Sequence, residues 1–320
     1  MNSPVAVHLH CKLPHVNIQT ITRINRPSSS TRNWLPALAI ASAISVYALI
    51  IFGSHVRVTD SGMGCPDWPL CKGNIGYVDG FHAFMEQTHR FIAAIVSVLV
   101  FVTALLAVRM RVRPAAIPPA LLTGAIILIQ IGLGAVTVFA GNNAPTVAAH
   151  LLAGLALLGS ATVTAVAVLV PRQEISGPRL NAIGWTAIGA AGLLYLSGSL
   201  VVNAEAEKSC ASIPLCPAGQ PARFVLLHLL HRSIAALAAI ALFVFAIHAW
   251  NRWTSHRGAR SLAVTLVTLI SATATLGIFS ALKKAPADLQ DLHLAGAAAV
   301  LAISVALATL GWLTGADRKD

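Results

Sequence analysis

Four histidines recur as two matched pairs. His89 leads into Arg-Phe-Ile-Ala-Ala-Ile, and His231 leads into Arg-Ser-Ile-Ala-Ala-Leu 142 residues later. His150 precedes Leu-Leu-Ala-Gly, and His293 precedes Leu-Ala-Gly 143 residues later. A third block, Gly53–Cys71 (GSHVRVTDSGMGCPDWPLC), aligns with Gly198–Cys216 (GSLVVNAEAEKSCASIPLC) at an offset of 145. Three blocks whose offsets agree to within three residues define a duplicated unit. Each copy supplies two imidazoles at the outer ends of apolar segments, where ionisable groups are costly and mark function. Zinc asks for four ligands, and no acid or thiol recurs beside both pairs. Two imidazoles from different helices of an apolar unit suit haem, with one nitrogen above the iron and one below. Small residues after the histidines, such as Gly154 and Gly296, leave room for a macrocycle. Arg90 and Arg232 follow the first histidine of each pair. They are placed either to pair with propionates at an aqueous edge or to snorkel to the interface.

The copies differ at one chemically loaded position. Glu86 stands three residues before His89, whereas His228 stands three before His231. That spacing puts Glu86 on the helix face of His89. A carboxylate beside a porphyrin edge moves protons, stabilises a cationic intermediate or orients a polar substituent. A solvated acid there would only complement the helix dipole. With no matching acid in the second copy, the expectation is a division of labour. The first copy binds and alters a haem-like substrate, and the second holds a permanent haem that passes electrons.

The cysteines repeat as well. Cys65 and Cys71 match Cys210 and Cys216, each pair with five residues between and each ending in Pro-Leu-Cys. A disulfide closing so short a loop contributes ~2–3 kcal/mol through loop entropy. A structural bridge is the reading for Cys210–Cys216. Cys65–Cys71, in the acidic first loop, is open between a bridge and a pair that exchanges thiols. Cys11 is left over as a plain thiol.

The elements that must position these groups are membrane spans. Of 320 residues, 56% are hydrophobic and 10% charged, against about 25% charged in soluble domains. With a mean hydropathy of +0.75, this excludes a soluble globular enzyme and a disordered chain. Eight apolar runs, roughly Leu35–Phe52, Phe91–Val108, Ile117–Ala140, Val147–Val170, Leu180–Val202, Phe224–Trp250, Leu262–Leu282 and Leu292–Leu313, are each long enough for a transmembrane helix. They do not alternate as membrane β-strands do.

The N-terminal segment, the even loops and the C-terminus carry fourteen basic residues against three acids, and the opposite side carries eight of each. The net charge of +11 is therefore one-sided. By the positive-inside rule both termini are cytoplasmic, and the basic balance is no sign of nucleic acid. The expected architecture is an all-α polytopic membrane protein. It has eight transmembrane helices in two tandem four-helix-bundle repeats, related by a pseudo-twofold axis along the membrane normal. Residues 1–33 form a cytoplasmic, disordered tail, including a loose His8, His10, Cys11, His15 cluster. Residues 34–171 form the N-terminal repeat and 172–320 the C-terminal repeat.

The run TDSGMGCPDWPLCKG (Thr59–Gly73), followed by EQTHR (Glu86–Arg90), resembles the signature of haem A synthases of the bacterial type with paired loop cysteines. The resemblance covers about residues 34–313. It implies oxidation of a methyl group of haem O to a formyl group, giving haem A for haem-copper terminal oxidases. It also implies haem B held by His231 and His293, with His89 and His150 flanking the haem O site. Glu86 matches the family's essential glutamate. The implied setting is the cell (inner) membrane. The implied partners are haem O, the farnesyltransferase that makes it, an unidentified electron donor and membrane lipid. The third loop, NAEAEKSCASIPLC, departs from members with a Gly-rich third loop, and the long tail is outside the pattern. Two other classes compete. A two-haem bis-histidine electron-transfer cytochrome fits the four histidines and leaves the single Glu86 unexplained. A haem carrier or transporter fits the duplication, but transporters show broken helices and midplane polar residues, which are scarce here.

Overall fold

The computed structural model describes residues 29–76, 78–111, 113–170, 181–204, 206–254 and 256–314. Among them lie eight long helices: α1 (Ser29–Val58), α2 (Phe81–Met110), α3 (Ile117–Phe139), α4 (Ala144–Leu169), α5 (Asn181–Asn203), α6 (Ala222–Arg252), α7 (Arg257–Leu282) and α8 (Ala287–Thr314). All eight are long and apolar enough to cross a membrane. The chain is an all-α polytopic membrane protein, as its composition requires. Helix α1 begins inside the segment read as tail; the expectation for the His8–His15 cluster lies outside the described residues.

The first four helices pack α1 on α2 and α4, α2 on α3, and α3 on α4. The last four pack in the same pairs: α5 on α6 and α8, α6 on α7, and α7 on α8. The two sets meet where α8 lies against α1 and α4. Accordingly α4 and α8 are the most buried spans. The core at this seam joins Val46, Ile127, Leu155 and Leu158 to Ala191, Ala298, Leu301 and Val305. Small residues let the backbones close: a Cβ on Gly184 would lie 3.2 Å from the Ala308 methyl. Hydroxyls in the spans pair rather than stand alone. Ser42 Oγ donates to Thr103 Oγ1 at 3.0 Å, and Thr123 and Thr164 hydroxyls lie 3.1 Å apart.

Helix α2 is longer than its apolar run, starting at Phe81 rather than near Phe91. Hydropathy drops where Glu86, Gln87, His89 and Arg90 begin, yet the helix continues because the loop before it bonds Glu86, Gln87 and Arg90. Gly80, at φ 102°, makes the sharp entry that only glycine takes without strain. Glu86 and His89 therefore stand in the second and third turns, one turn deeper than a helix-end reading puts them. At the start of α4, Asn143 caps the helix by accepting from Thr146 N at 3.1 Å, which sets His150 two turns in.

Candidate functional site

Each of the four histidines packs against a glycine of the preceding helix. A Cβ on Gly53 would lie 3.0 Å from His89 Cε1, and on Gly198 3.2 Å from His231 Cε1. On Gly134 it would lie 3.4 Å from His150 Cε1, and on Gly277 2.7 Å from His293 Cε1. At Gly277 an added Cβ would displace the imidazole, at Gly53 and Gly198 it would crowd it, and at Gly134 it would touch it. The structure brings His89 and His150 within electrostatic reach of each other, and likewise His231 and His293. The glycines recur with the repeat, Gly53 and Gly198 at the 145 offset of the first loop block and Gly134 and Gly277 at the 143 offset of His150 and His293. That periodicity was the available signal for them. Gly154 and Gly296 have other neighbours. A Cβ on Gly154 would meet Gln130 Nε2 at 3.2 Å, and on Gly296 would meet Thr273 Oγ1 at 2.5 Å. They make room for side chains of α3 and α7.

The two pairs differ in how their rings are held. Ser197 Oγ lies 2.9 Å from His231 Nδ1 and donates its own proton to Leu194 O. It therefore accepts from Nδ1–H. His293 Nδ1 lies 3.0 Å from the Thr273 carbonyl, which can only accept. Both rings of the second pair are thus fixed with the proton on Nδ1 and the Nε2 lone pair available, as ligating histidines are. In the first pair, Nδ1 of His89 and Nδ1 of His150 are buried without a partner. Phe52, at the position of Ser197 in the repeat, offers His89 only a ring contact at 6.0 Å.

Above each pair sits a loop closed by a disulfide. Cys65 is bonded to Cys71 and Cys210 to Cys216, each with 4.7 Å between Cα atoms. Arg90 donates from Nη1 to the Asp67 and Leu70 carbonyls, and from Nη2 to Cys65 O and to Glu86 Oε1. Glu86, only 4% exposed, also accepts from Cys65 N at 2.7 Å. It is no solvated helix-end acid: it ties the disulfide loop to the helix of His89. In the second set Arg232 donates to Pro214 O at 2.8 Å and Cys210 O at 2.9 Å, and His228 Nε2 to Ala206 O at 2.7 Å. Both arginines thus engage loop carbonyls, Arg90 three of them besides its contact to Glu86.

A polar bridge links the two sets at one seam. Ser54 Oγ donates to Asp291 Oδ1 at 2.6 Å, His55 Nδ1 lies 2.9 Å from Asp291 Oδ2, and Arg57 donates to Gln290 Oε1 at 3.0 Å. Sequence reasoning passed over these residues. Ser54 matches Ser199, but His55, Arg57, Gln290 and Asp291 match Leu200, Val202, Val147 and Ala148, and that loss of polarity at four matched positions was the signal.

The cytochrome oxidase assembly protein family (COX15-CtaA) matches residues 36–305. Heme A synthase of Shouchella clausii is 30% identical over 216 residues, covering 62% of this chain and 70% of that protein. Heme A synthase of Bacillus licheniformis is 28% identical over 193 residues, 57% of this chain and 63% of that protein. Protoheme IX farnesyltransferase of Haloarcula marismortui is 33% identical over 124 residues, 38% of this chain. The chain spans 26% of that farnesyltransferase and 63% of the Bacillus synthase, less than two thirds of either. With eight membrane-spanning helices, two looped disulfides and a profile match over most of its length, the chain belongs to the cytochrome oxidase assembly family that includes the haem A synthases.

Proposed function

We propose that this chain is a haem A synthase, an oxidoreductase that converts a methyl group of haem O to the formyl group of haem A. The observation that carries the reading is the asymmetry of the histidine pairs. His231 and His293 have both Nδ1 protons anchored. His89 and His150 have neither Nδ1 anchored, and Glu86, three residues before His89, is an acid with no counterpart in the second copy. Ligands held by an outer shell suit a resident group; rings without one suit a molecule that enters and leaves. Residues 34–171 are the substrate half and 172–320 the cofactor half.

His231 and His293 fit a haem B. Their Nε2 lone pairs are presented, and Gly198 and Gly277 let the rings lie where a Cβ would intrude. A bis-imidazole haem supplies one-electron transfer. The remaining work is done by side chains of the chain. His89 and His150 flank haem O. Glu86 keeps a carboxylate in a site closed from above, with Oε1 on Arg90 and Oε2 on Cys65 N. From the face of His89 it stabilises positive charge developing on the ring during oxidation. Arg232, more exposed and less committed than Arg90, is the propionate partner in the cofactor half. The Cys65–Cys71 bridge holds the lid and keeps water from the reacting edge.

The one-sided charge supports a cell (inner) membrane protein with both termini cytoplasmic. Similarity to part of a protein named Protoheme IX farnesyltransferase supports haem O as substrate and its producing enzyme as neighbour. An electron donor completes the set of partners.

The test is mass spectrometry of haems extracted from the purified chain. Haem B together with haem O or haem A is expected. Two equivalents of haem B and nothing else would make it an electron-transfer cytochrome, and no haem at all would make it a carrier.

A further inference from the structure

Gln130 is an amide in the middle of α3, among Ile, Leu, Gly and Ala. Its Nε2 lies 3.4 Å from Nε2 of His150, the nitrogen a ligand would use. Its Oε1 is buried and has no hydrogen-bond partner. A buried amide with an open acceptor is costly unless something fills it. Gly154 makes the space, since a Cβ there would lie 3.2 Å from the amide nitrogen. At the matching position of the cofactor half stands Thr273, whose main-chain carbonyl holds His293 from the opposite side of the ring, at Nδ1. The substrate half alone directs a side-chain amide at the ligating face of its histidine.

We propose that Gln130 reads a hydroxyl group on the substrate macrocycle, and so is a specificity-determining residue of the first histidine pair. This deepens the haem O reading above and rests on it. When a ligand takes the His150 Nε2 lone pair, the amide N–H loses its acceptor. The side chain is then left with one donor and one acceptor beside the coordination position. A hydroxyl presents the complementary pair, one O–H and its lone pairs. A methyl offers neither, and a formyl oxygen only accepts. Two hydroxyls meet this chemistry: the alcohol on the farnesyl-bearing side chain of haem O, and a hydroxymethyl formed on the way from methyl to formyl. A site built to bond a hydroxyl discriminates strongly against a ring that lacks it, because its polar groups are then stranded.

The experiment uses the purified full chain with its resident haem, titrated with haem O and, separately, with haem B, which lacks the hydroxyl. Wild type is compared with Gln130→Met, which keeps side-chain length and removes the amide. An unchanged resident-haem spectrum reports an intact fold. If the side-chain alcohol is read, Gln130→Met lowers haem O affinity at least tenfold and leaves haem B affinity unchanged. If the new alcohol is read, haem O affinity holds and the released ratio of hydroxymethyl to formyl product rises at least tenfold. If Gln130→Met does not accumulate, Gly154→Ala displaces the amide without removing it and is expected to move the same readouts in the same direction. Unchanged affinity and product ratio, in a protein whose wild type converts haem O, would overturn the proposal. Failure of wild type to convert haem O would instead overturn the enzymatic reading.

Discussion

Ser197 Oγ lies 2.9 Å from Nδ1 of His231, and the serine proton is already committed to Leu194 O. With its proton on Leu194 O, that hydroxyl accepts from the ring and leaves Nε2 to ligate. Outer-shell contacts of this kind are worth about 10–100-fold in metal affinity. Ser197→Ala is expected to weaken the resident haem at His231 by that amount, read by haem titration. Gly277→Ala, which drives a methyl to 2.7 Å from His293 Cε1, is expected to shift the low-spin spectrum toward high spin. An unchanged spectrum and affinity in both variants would mean that no group is ligated there.

Glu86 is predicted to be chemical as well as structural, and two substitutions separate the roles. Glu86→Gln keeps an acceptor for Cys65 N and removes the charge. It should keep the resident haem while haem A formation falls by roughly 10²-fold or more. Glu86→Ala also strands Cys65 N and one Arg90 contact, at about 1–3 kcal/mol of loop stability. Haem extraction and thermal melting read the two effects. Normal haem A production by Glu86→Gln would leave the acid as a loop fastener alone.

The disulfides predict an order of reduction. Cys65 and Cys71 are fully buried, whereas Cys216 is partly exposed. An impermeant phosphine should open Cys210–Cys216 first. All four thiols should then label from the non-cytoplasmic side. Labelling from the cytoplasmic side would reverse the orientation argued from charge.

Asp67, in the first loop, accepts from Lys72 N at 2.6 Å and Gly73 N at 2.8 Å. Those backbone donors hold its carboxyl below the ordinary carboxylate range. A depressed native pKa stabilises the loop above the unfolded value of about 3.9, and this is lost as pH falls through the native value. Asp67→Asn should therefore speed phosphine reduction of Cys65–Cys71 at pH 7. The difference from wild type should vanish only below about pH 4. A difference that disappears well above that pH would place the effect in another group.

Much of the site was legible because duplication exposes it. His89, His150, His231 and His293 stand out as repeated polar residues in apolar helices, and Glu86 stands out as the acid with no counterpart. The start of α2 was not legible from hydropathy, which falls at Gln87 and Arg90 although the helix runs on to Phe81 under a covering loop. Nor were Ser197 and Thr273, since a mid-helix hydroxyl or carbonyl reads as packing until the ring beside it is seen. From its place after His89, Arg90 read either as a propionate partner or as a snorkelling interfacial residue. Only the placement of Cys65, Asp67 and Leu70 around it reveals how many loop carbonyls it holds.

The division of labour between the two histidine pairs is tested most directly by single-turnover conversion of haem O in purified His89→Ala and His231→Ala variants, each with its haem spectrum recorded. The account predicts that His89→Ala keeps the low-spin resident spectrum and loses haem O conversion. It predicts that His231→Ala loses that spectrum while still binding haem O. Loss of the resident spectrum in His89→Ala, with His231→Ala unaffected, would contradict it.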